Sequence, residues 1–595
     1  MRKTLYIITG MLLFAIACND EEYLDKKPHS LTEEFYTTVS GATQGLNAAY
    51  DILQLGEEVE RIEFIGTVCS GDAMAGGQPG GGDQTHMQNF MRFLIYSDNG
   101  YVSDYWRALY RGIYRCNLLI QYLLEPDNLE TSFTEDLRIR MLGEATFLRG
   151  LFHFKLQINY GGLPQLQSTF NNKLKGVPFV DHILLPDEWN QERPELEYTW
   201  GRIEEDFTNA ASMLPEKSEY AEENIGRATK GAALSMLAKT YLYQEKWQQA
   251  YETAKQVIES GEYWLEGDDD HLGPFTITRL TKEGNVNVDV PGYKWIWQAE
   301  SNNCGESVFD VQHYQEGSTA WPQGYEGNLI ARYYGPRAVK AYITLQDTVP
   351  SDIQYFWGFI LPTDYFVRTA YHDVGCEPVE GNILDPRYKL SVVEATDSFP
   401  YYYQDANLRE AFPDSVPYSA WFNWPTTGRC TWKYFTDPYF DVHRVNLGDM
   451  PQNTKYLRFA DVLLMGAEAA VHVGQNADAL AWINWVRQRA RNSGNTNYPQ
   501  DYTGTATLEQ IYAERRVELA FEGHQYYDLV RTGRAEQVLT VDALQYPATT
   551  NPETSQVAPQ QFGDNFQVGK HEIWPIPGDE IINTNGTITQ NPNYE

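Results

Sequence analysis

The chain has little of what most enzyme chemistry starts from. Its 595 residues include six cysteines, Cys18, Cys69, Cys116, Cys304, Cys376 and Cys430, and no two stand at CxxC spacing. That excludes a zinc ribbon or a thioredoxin-type redox centre, and no metal site and no cofactor is expected. With Cys18 set aside the remaining number is odd, so a complete disulfide framework within one chain is ruled out; buried thiols are expected instead. Positive charge is scarce: 46 Lys and Arg stand against 81 Asp and Glu, a formal net charge of −35. Affinity for nucleic acid comes from cations that neutralise phosphates, so a nucleic-acid partner is excluded and a polyanionic ligand is disfavoured. GxSxG, HExxH and P-loop patterns are also missing, which leaves nucleophilic, zinc-protease and nucleotide chemistry without a starting residue.

Long apolar runs are missing too. The one candidate, Leu5 to Ala17 after Arg2 and Lys3, is too short for a bilayer core of about 30 Å and reads as a signal peptide over residues 1–17. It ends Ala15-Ile16-Ala17-Cys18, which resembles a lipobox. Cys18 is therefore the expected lipidated N-terminus. Residues 18–30, with the acidic stretch Asn19 to Glu22, form the tether. What the chain has in plenty is aromatic surface: 41 Tyr and 15 Trp within 14% aromatics. Such rings fill cores, and those left over stack on flat apolar ligand faces while offering a polar tip.

Residues 31–264 read as helical. Leu46, Tyr50 and Leu53 share one face, and Met141, Ala145, Leu148, Phe152 and Leu156 form a stripe that stops at Tyr160-Gly161-Gly162-Leu163-Pro164. Between them, Gly71 to Gly82 is a glycine-rich loop. Arg227 to Gly261 reads as a helical hairpin, with Ala233, Leu237 and Leu242 facing Trp247, Ala250, Ala254 and Val257. Its small-against-large pattern is that of a tetratricopeptide repeat. Residues 265–450 change to short, aromatic, Pro- and Gly-punctuated segments, expected to be an irregular ligand-binding insertion. Residues 451–595 return to helix, with candidate pairs at Tyr456 to Val473 followed by Ala477 to Arg491, and within Leu508 to Arg531.

Ordered blocks along nearly the whole mature chain resemble the SusD/RagB family. They include Glu144 to Gly150 (EATFLRG), Asp385-Pro386-Arg387, Leu457 to Leu464 (LRFADVLL), Glu514-Arg515-Arg516 to Gly523, Asp528-Leu529-Val530-Arg531 and Trp574-Pro575-Ile576-Pro577. The chain departs from the family pattern at Gly523-His524-Gln525-Tyr526, where Gly-His-Arg-Trp is common. The resemblance implies a mainly α fold, a SusD-like scaffold of tetratricopeptide-type helix pairs with a large loop-rich insertion. It further implies a non-enzymatic, lipid-anchored outer-membrane receptor that binds glycan and partners a SusC-like TonB-dependent barrel.

Binding residues do not carry over one by one, so they are chosen locally. A sugar ring presents apolar C–H faces ringed by hydroxyls, which calls for aromatic platforms beside amide and carboxylate partners. The candidates are Asp83, His86, Gln88, Tyr101 and Trp106 near the glycine-rich loop. In the insertion they are Trp321, Gln323, Tyr325, Asn328, Tyr334, Trp357 and Tyr365. The acidic composition favours a neutral glycan. A peptide receptor of the RagB type and a glycoside hydrolase, which needs only two carboxylates, stay open as alternatives. Glu514, Glu518 and Glu522 line one helical face and are expected to pair with arginines rather than to act as acid and base. Asp268, Asp269 and Asp270 suggest either a calcium ligand set or a solvated turn.

Overall fold

The computed structural model describes residues 33–76, 84–281, 284–314, 327–335, 357–376, 382–394, 397–400, 415–417, 427–434, 450–539 and 566–594. The signal peptide and Cys18 lie outside them. Twelve helices frame the account: α1 Val39–Tyr50, α2 Thr85–Met91, α3 Gly100–Leu123, α4 Glu135–Leu156, α5 Leu196–Met213, α6 Lys230–Leu242, α7 Trp247–Ile258, α8 Asp364–Asp373, α9 Phe459–His472, α10 Asn476–Gly494, α11 Leu508–Glu518 and α12 His524–Arg531. The described strands are short and pair two by two. Those used below are β1 Ala73–Ala75, β2 Ser307–Val311, β3 Ile360–Pro362 and β4 Thr454–Arg458. The fold is mainly α, as the periodicity predicts.

The helices stack in sequence, α3 on α4, α4 on α5, α5 on α6, α6 on α7, and then α7 directly on α9, which packs on α10 and α11. This is the nearest-neighbour logic of a helical repeat array, in which each pair buries the apolar face that the previous one leaves open. The step from α7 to α9 skips two hundred residues of sequence without breaking the stack, so the insertion leaves and re-enters one scaffold. Antiparallel β2 and β4, pairing Thr454 with Val311 and Arg458 with Ser307, tie the start of the insertion to its end.

Local chemistry accounts for the element ends. Thr134, Thr229 and Thr507 each cap a helix by accepting a backbone N–H, from Leu137, Ala232 and Gln510, and Thr507 with Gln510 forms a full capping box. The stripe on α4 is wider than its spacing suggests, because every residue from Gly143 to Leu156 is buried, the charged Glu144, Arg149 and Lys155 among them. The Leu508 to Arg531 segment divides at Phe521 (φ 66°) and Gly523 (φ 84°), giving two helices at an angle.

Charge, more than apolar burial alone, joins these parts. Glu518 of α11 is fully buried and meets three guanidiniums, those of Arg387, Arg458 and Arg489. Burial alone would raise its pKa, but Arg489, Arg458 and Arg387 hold it down at about 2. Glu514 pairs with Arg387 and Arg487, while Glu522 pairs with Lys433 at 2.7 Å and Arg458 at 2.7 Å. Arg515 reaches Asp461 at 2.7 Å and Asp528 at 2.9 Å, and Arg531 reaches Asp528 and Glu468. All three glutamates are thus ion-paired, as expected, but only Glu514 and Glu518 lie on α11; Glu522 falls in the turn beyond the helix end, so the single helical face read from the spacing does not extend to it.

His153 is also structural. Its Nδ1 donates to the Arg149 carbonyl (2.9 Å) and its Nε2 accepts from the Val180 N–H (3.1 Å), an arrangement that requires the neutral ring. Burial, helped by the Arg149 charge, pushes its pKa down to about 3.

Two outcomes follow. Glu518→Ala, which removes the one carboxylate shared by three buried guanidiniums and leaves an excess of buried positive charge, is expected to destabilise the protein by about 3–5 kcal/mol in denaturant titration. For His153 the folded-state pKa lies below the unfolded value, so its contribution is complete above pH 6.5 and is lost as pH falls towards 3. Between pH 6.5 and 5 the parent protein is expected to lose about 1.5 kcal/mol more than His153→Gln. Equal losses in the two would contradict the neutral-ring assignment.

Candidate functional site

The two loop regions singled out in the sequence meet in space. After the turn at Ser70–Asp72, β1 runs antiparallel to β3, with Ala73 opposite Pro362, Met74 opposite Leu361 and Ala75 opposite Ile360. The pairing extends through the Gly76 N–H, which donates to the Phe359 carbonyl (2.8 Å). Only glycine serves at position 76, since a Cβ there would stand 1.9 Å from the Gly358 carbonyl oxygen. Thr363 completes the seam. Its N–H donates to the Asp72 carbonyl, its hydroxyl donates to the Gly71 carbonyl, and the same hydroxyl caps α8.

Aromatic rings gather on this seam. Tyr333, Trp357 and Phe359 form a triangle with centroids 5.2, 5.4 and 5.9 Å apart, and the Phe359 N–H donates to the Tyr333 carbonyl (2.7 Å). Trp357 is half-buried, whereas Tyr333 and Phe359 are buried beneath it. A little further along, the half-buried Tyr365 lies under the Arg516 guanidinium at 4.9 Å. Arg516 also grips Asp72 through Nε and Nη2, at 3.0 and 2.6 Å to the same oxygen. Burial raises the Asp72 pKa against the pull of Arg516.

On the other edge of β1, the Ala75 N–H contacts Met91 Sδ of α2, so α2 with His86 and Gln88 adjoins the same seam. His86 is exposed and lies 5.5 Å from the Tyr101 ring, whose hydroxyl donates to Gln84 (2.8 Å). Arg61 covers the Tyr101 ring at 4.4 Å. The elements around the paired strands thus carry one half-buried indole, an exposed imidazole, an amide and a half-buried tyrosine. They can stack against a ring and exchange hydrogen bonds.

Residues 306–594 match the family model described as the SusD family, and residues 22–242 match one described as starch-binding associating with outer membrane. The chain belongs to the SusD family. A SusD-like protein of Formosa agariphila is 24% identical over 580 residues, covering 93% of this chain and 98% of its own. Another, of Bacteroides ovatus, is 23% identical over 540 residues, with 89% and 82% covered. Among solved structures, a laminarin binding SusD-like protein is 25% identical, with TM-score 0.66 over 94% of this chain and 100% of its own. Surface glycan-binding protein A from Bacteroides thetaiotaomicron, in complex with laminarihexaose, shares the fold at 19% identity, with TM-score 0.64 over 93% and 99%.

Within this SusD fold the twelve chosen residues separate into three groups. His86, Gln88, Trp357 and Tyr365 reach the surface around the seam. Asp83, Trp321, Gln323 and Tyr325 lie outside the described residues. Tyr101, Trp106, Asn328 and Tyr334 are interior. Trp106, 2% exposed, is wedged against Tyr110 and Tyr160. Asn328 binds the Gln452 carbonyl, Thr454 and the Ile330 N–H. Tyr334 packs between Phe64 and Tyr434 and donates to the Phe521 carbonyl. These four hold the site's base and present no free face. Sequence reasoning passed over Tyr333, which adjoins Tyr334, and Phe359, two residues beyond Trp357, as well as the exposed Tyr96 and Tyr314.

The aspartate run is a turn. Asp268 accepts from the N–H groups of Asp270 and His271 and from the Trp485 indole, while Asp269 turns to Asn492 and Gln488. The carboxylates diverge, which corrects the calcium alternative.

Gly76→Ala is expected to part β1 from β3. Hydrogen exchange should accelerate at the amides of residue 76 and Thr363, both of which cross the seam, with about 2 kcal/mol lost overall. Unchanged protection at both would mean that the seam tolerates the methyl group.

Proposed function

We propose that this SusD-family chain is a non-catalytic glycan receptor. The reading rests on the seam, where the half-buried Trp357 sits over Tyr333 and Phe359 beside the paired strands, with Tyr365 and the His86 cluster on adjoining elements. A half-buried indole supplies the stacking face for a sugar ring, and His86, Gln88 and Tyr365 supply the polar contacts around it. The relatives support this, one being a laminarin binding protein and another a surface glycan-binding protein seen with laminarihexaose. A neutral glycan suits the acidic chain. Delivery to a SusC-like TonB-dependent barrel, and anchoring in the outer membrane by lipid on Cys18, complete the proposal. The family description naming association with the outer membrane supports the location.

The placement of the three evenly spaced glutamates supports the non-catalytic part of the proposal. A glycosidase needs a carboxylic acid and a carboxylate flanking the bond to be cut, the acid with a raised pKa. Glu514, Glu518 and Glu522 are buried among arginines, and the pKa values of Glu518 and Glu522 are lowered. They hold the scaffold together and do not meet substrate.

Affinity electrophoresis of the mature chain against laminarin, starch, xylan, mannan and alginate tests the reading. At least one neutral polysaccharide should retard the parent protein, and Trp357→Ala should weaken that retardation about tenfold, with no reducing ends released on long incubation. Shortening of the polysaccharide, abolished by a single carboxylate substitution, would sink the receptor reading.

A further inference from the structure

Away from the seam, the segment leading into α5 is fixed to the scaffold at both ends. Asn117 of α3 donates to the carbonyls of Val180 (2.9 Å) and His182 (3.2 Å), and Arg149 of α4 donates to that of Asp181 (3.0 Å). At the far end the buried Arg193 donates to the carbonyls of Lys175 (2.6 Å), Gly176 (3.2 Å) and Tyr160 (3.3 Å). Between these anchors the chain makes a tight turn that carries Leu185 and Trp189, 60% and 65% exposed. The turn is closed by its own bonds. The Glu188 N–H donates to the Leu185 carbonyl (2.8 Å), the Leu185 N–H to the Glu188 carboxylate (2.9 Å), and the Trp189 indole to the Leu184 carbonyl (3.3 Å).

One side chain joins this turn to its fixed end. His182 stands with Nδ1 2.8 Å from Asp181 Oδ1 and Nε2 3.3 Å from Glu188 Oε2. An ionised carboxylate only accepts, so both ring nitrogens donate, which requires the imidazolium. His153 shows the opposite arrangement, with an acceptor on one nitrogen and a donor on the other. The charged groups around His182 come from three places. Asp181 and Glu188 lie in its own segment. From α5, Arg202 meets Asp181 at 2.8 Å and also pairs with Glu205. From α4, Arg149 pairs with Asp206 of α5, while α3 meets His182 through the uncharged Asn117. Asp181 therefore keeps a second cation, but among the described residues Glu188 has no cation except His182. Asp181 and then Glu188 raise the His182 pKa against partial burial. The charged form is complete below pH 6.5 and is lost as the pH rises through the higher folded value. Above it, a lone pair replaces one N–H opposite a carboxylate, and Asp181 and Glu188 repel each other across a neutral ring.

We infer that His182 is a proton-operated staple, whose charged ring joins Asp181 to Glu188 and holds the Leu185–Trp189 turn closed, and whose loss of the proton frees the turn. The device acts on presentation of an apolar pair. Closed, the turn fixes the Trp189 ring and Leu185 in place at the surface; open, it leaves them many positions. Anything that docks on these two side chains must then order them at higher pH, which weakens binding without a change in the contacts. The staple does not depend on the glycan reading.

Fluorine NMR of the mature chain carrying 5-fluorotryptophan at position 189 alone, followed from pH 5 to 9, tests it. The resonance should titrate with a midpoint above 6.5. The Leu185 amide, corrected for the intrinsic pH dependence of exchange, should exchange about fivefold faster at pH 8.5 than at pH 6. His182→Gln keeps a polar side chain at an exposed position and removes the charge, so it should show the open-state resonance and the faster exchange at every pH. A titration that persists in His182→Gln, a midpoint at or below 6.5, or a corrected exchange rate that ignores pH would each overturn the staple.

Discussion

The constraint on which the rest of the structure depends is the buried charge of α11. Four of its charged residues, Glu514, Arg515, Arg516 and Glu518, are buried, and between them they turn to three different parts of the molecule. Glu514 and Glu518 reach Arg387 in the insertion, Arg515 reaches Asp461 on α9, and Arg516 reaches Asp72 at the foot of β1. Asp461 in turn takes Lys239 of α6. One helix turn therefore joins the early helices, the insertion and the late helices. Burying so many charges is unfavourable unless every one is answered, and its return is in specificity: a misregistered α11 leaves uncompensated ions in a low-dielectric interior. The cost of error, more than any net gain, makes this arrangement the organiser of the fold.

The candidate site inherits its rigidity from that organiser. β1 and β3 are three residues each, far too short to pair stably on their own. Asp72 immediately precedes β1 and is held by Arg516. Thr363 immediately follows β3 and is bonded to the backbone of Gly71 and Asp72. The strands are thus clamped at the end nearest α11, while the other end opens towards Gly76 and Trp357. A surface that stacks on sugar rings gains from such anchoring, because less side-chain and loop ordering is needed on binding.

Much of this was legible in the residues. Helix spacing gave the repeat-like pairs, and the four-residue interval of Glu514, Glu518 and Glu522, interleaved with arginines, gave the ion pairing. The meeting of the two loop regions was not legible, because Ala-Met-Ala and Ile-Leu-Pro have no alternation to mark them as strands. Choice among aromatics also failed in a physical way. Tyr333 and Tyr334 are adjacent, and the helical rotation between neighbours sends Tyr333 to the Trp357 triangle and Tyr334 to the core. Trp106 and Tyr101 look like platforms by composition, yet α3 turns both inward. Residue type says what a ring can do; only tertiary packing says whether a ligand can reach it.

The same burial changes what the net charge means. Arg387, Arg458, Arg487, Arg489, Arg515, Arg516 and Arg531 are all interior and paired with carboxylates. Those cations are committed to buried carboxylates and are not available at the surface of a chain with an excess of 35 negative charges. Such a surface repels polyanions over distances set by ionic strength, about 8 Å in physiological salt. It leaves uncharged ligands unaffected until they touch. On the proposed reading, discrimination against acidic glycans therefore begins with the arginines withdrawn into the core, before any binding residue makes contact.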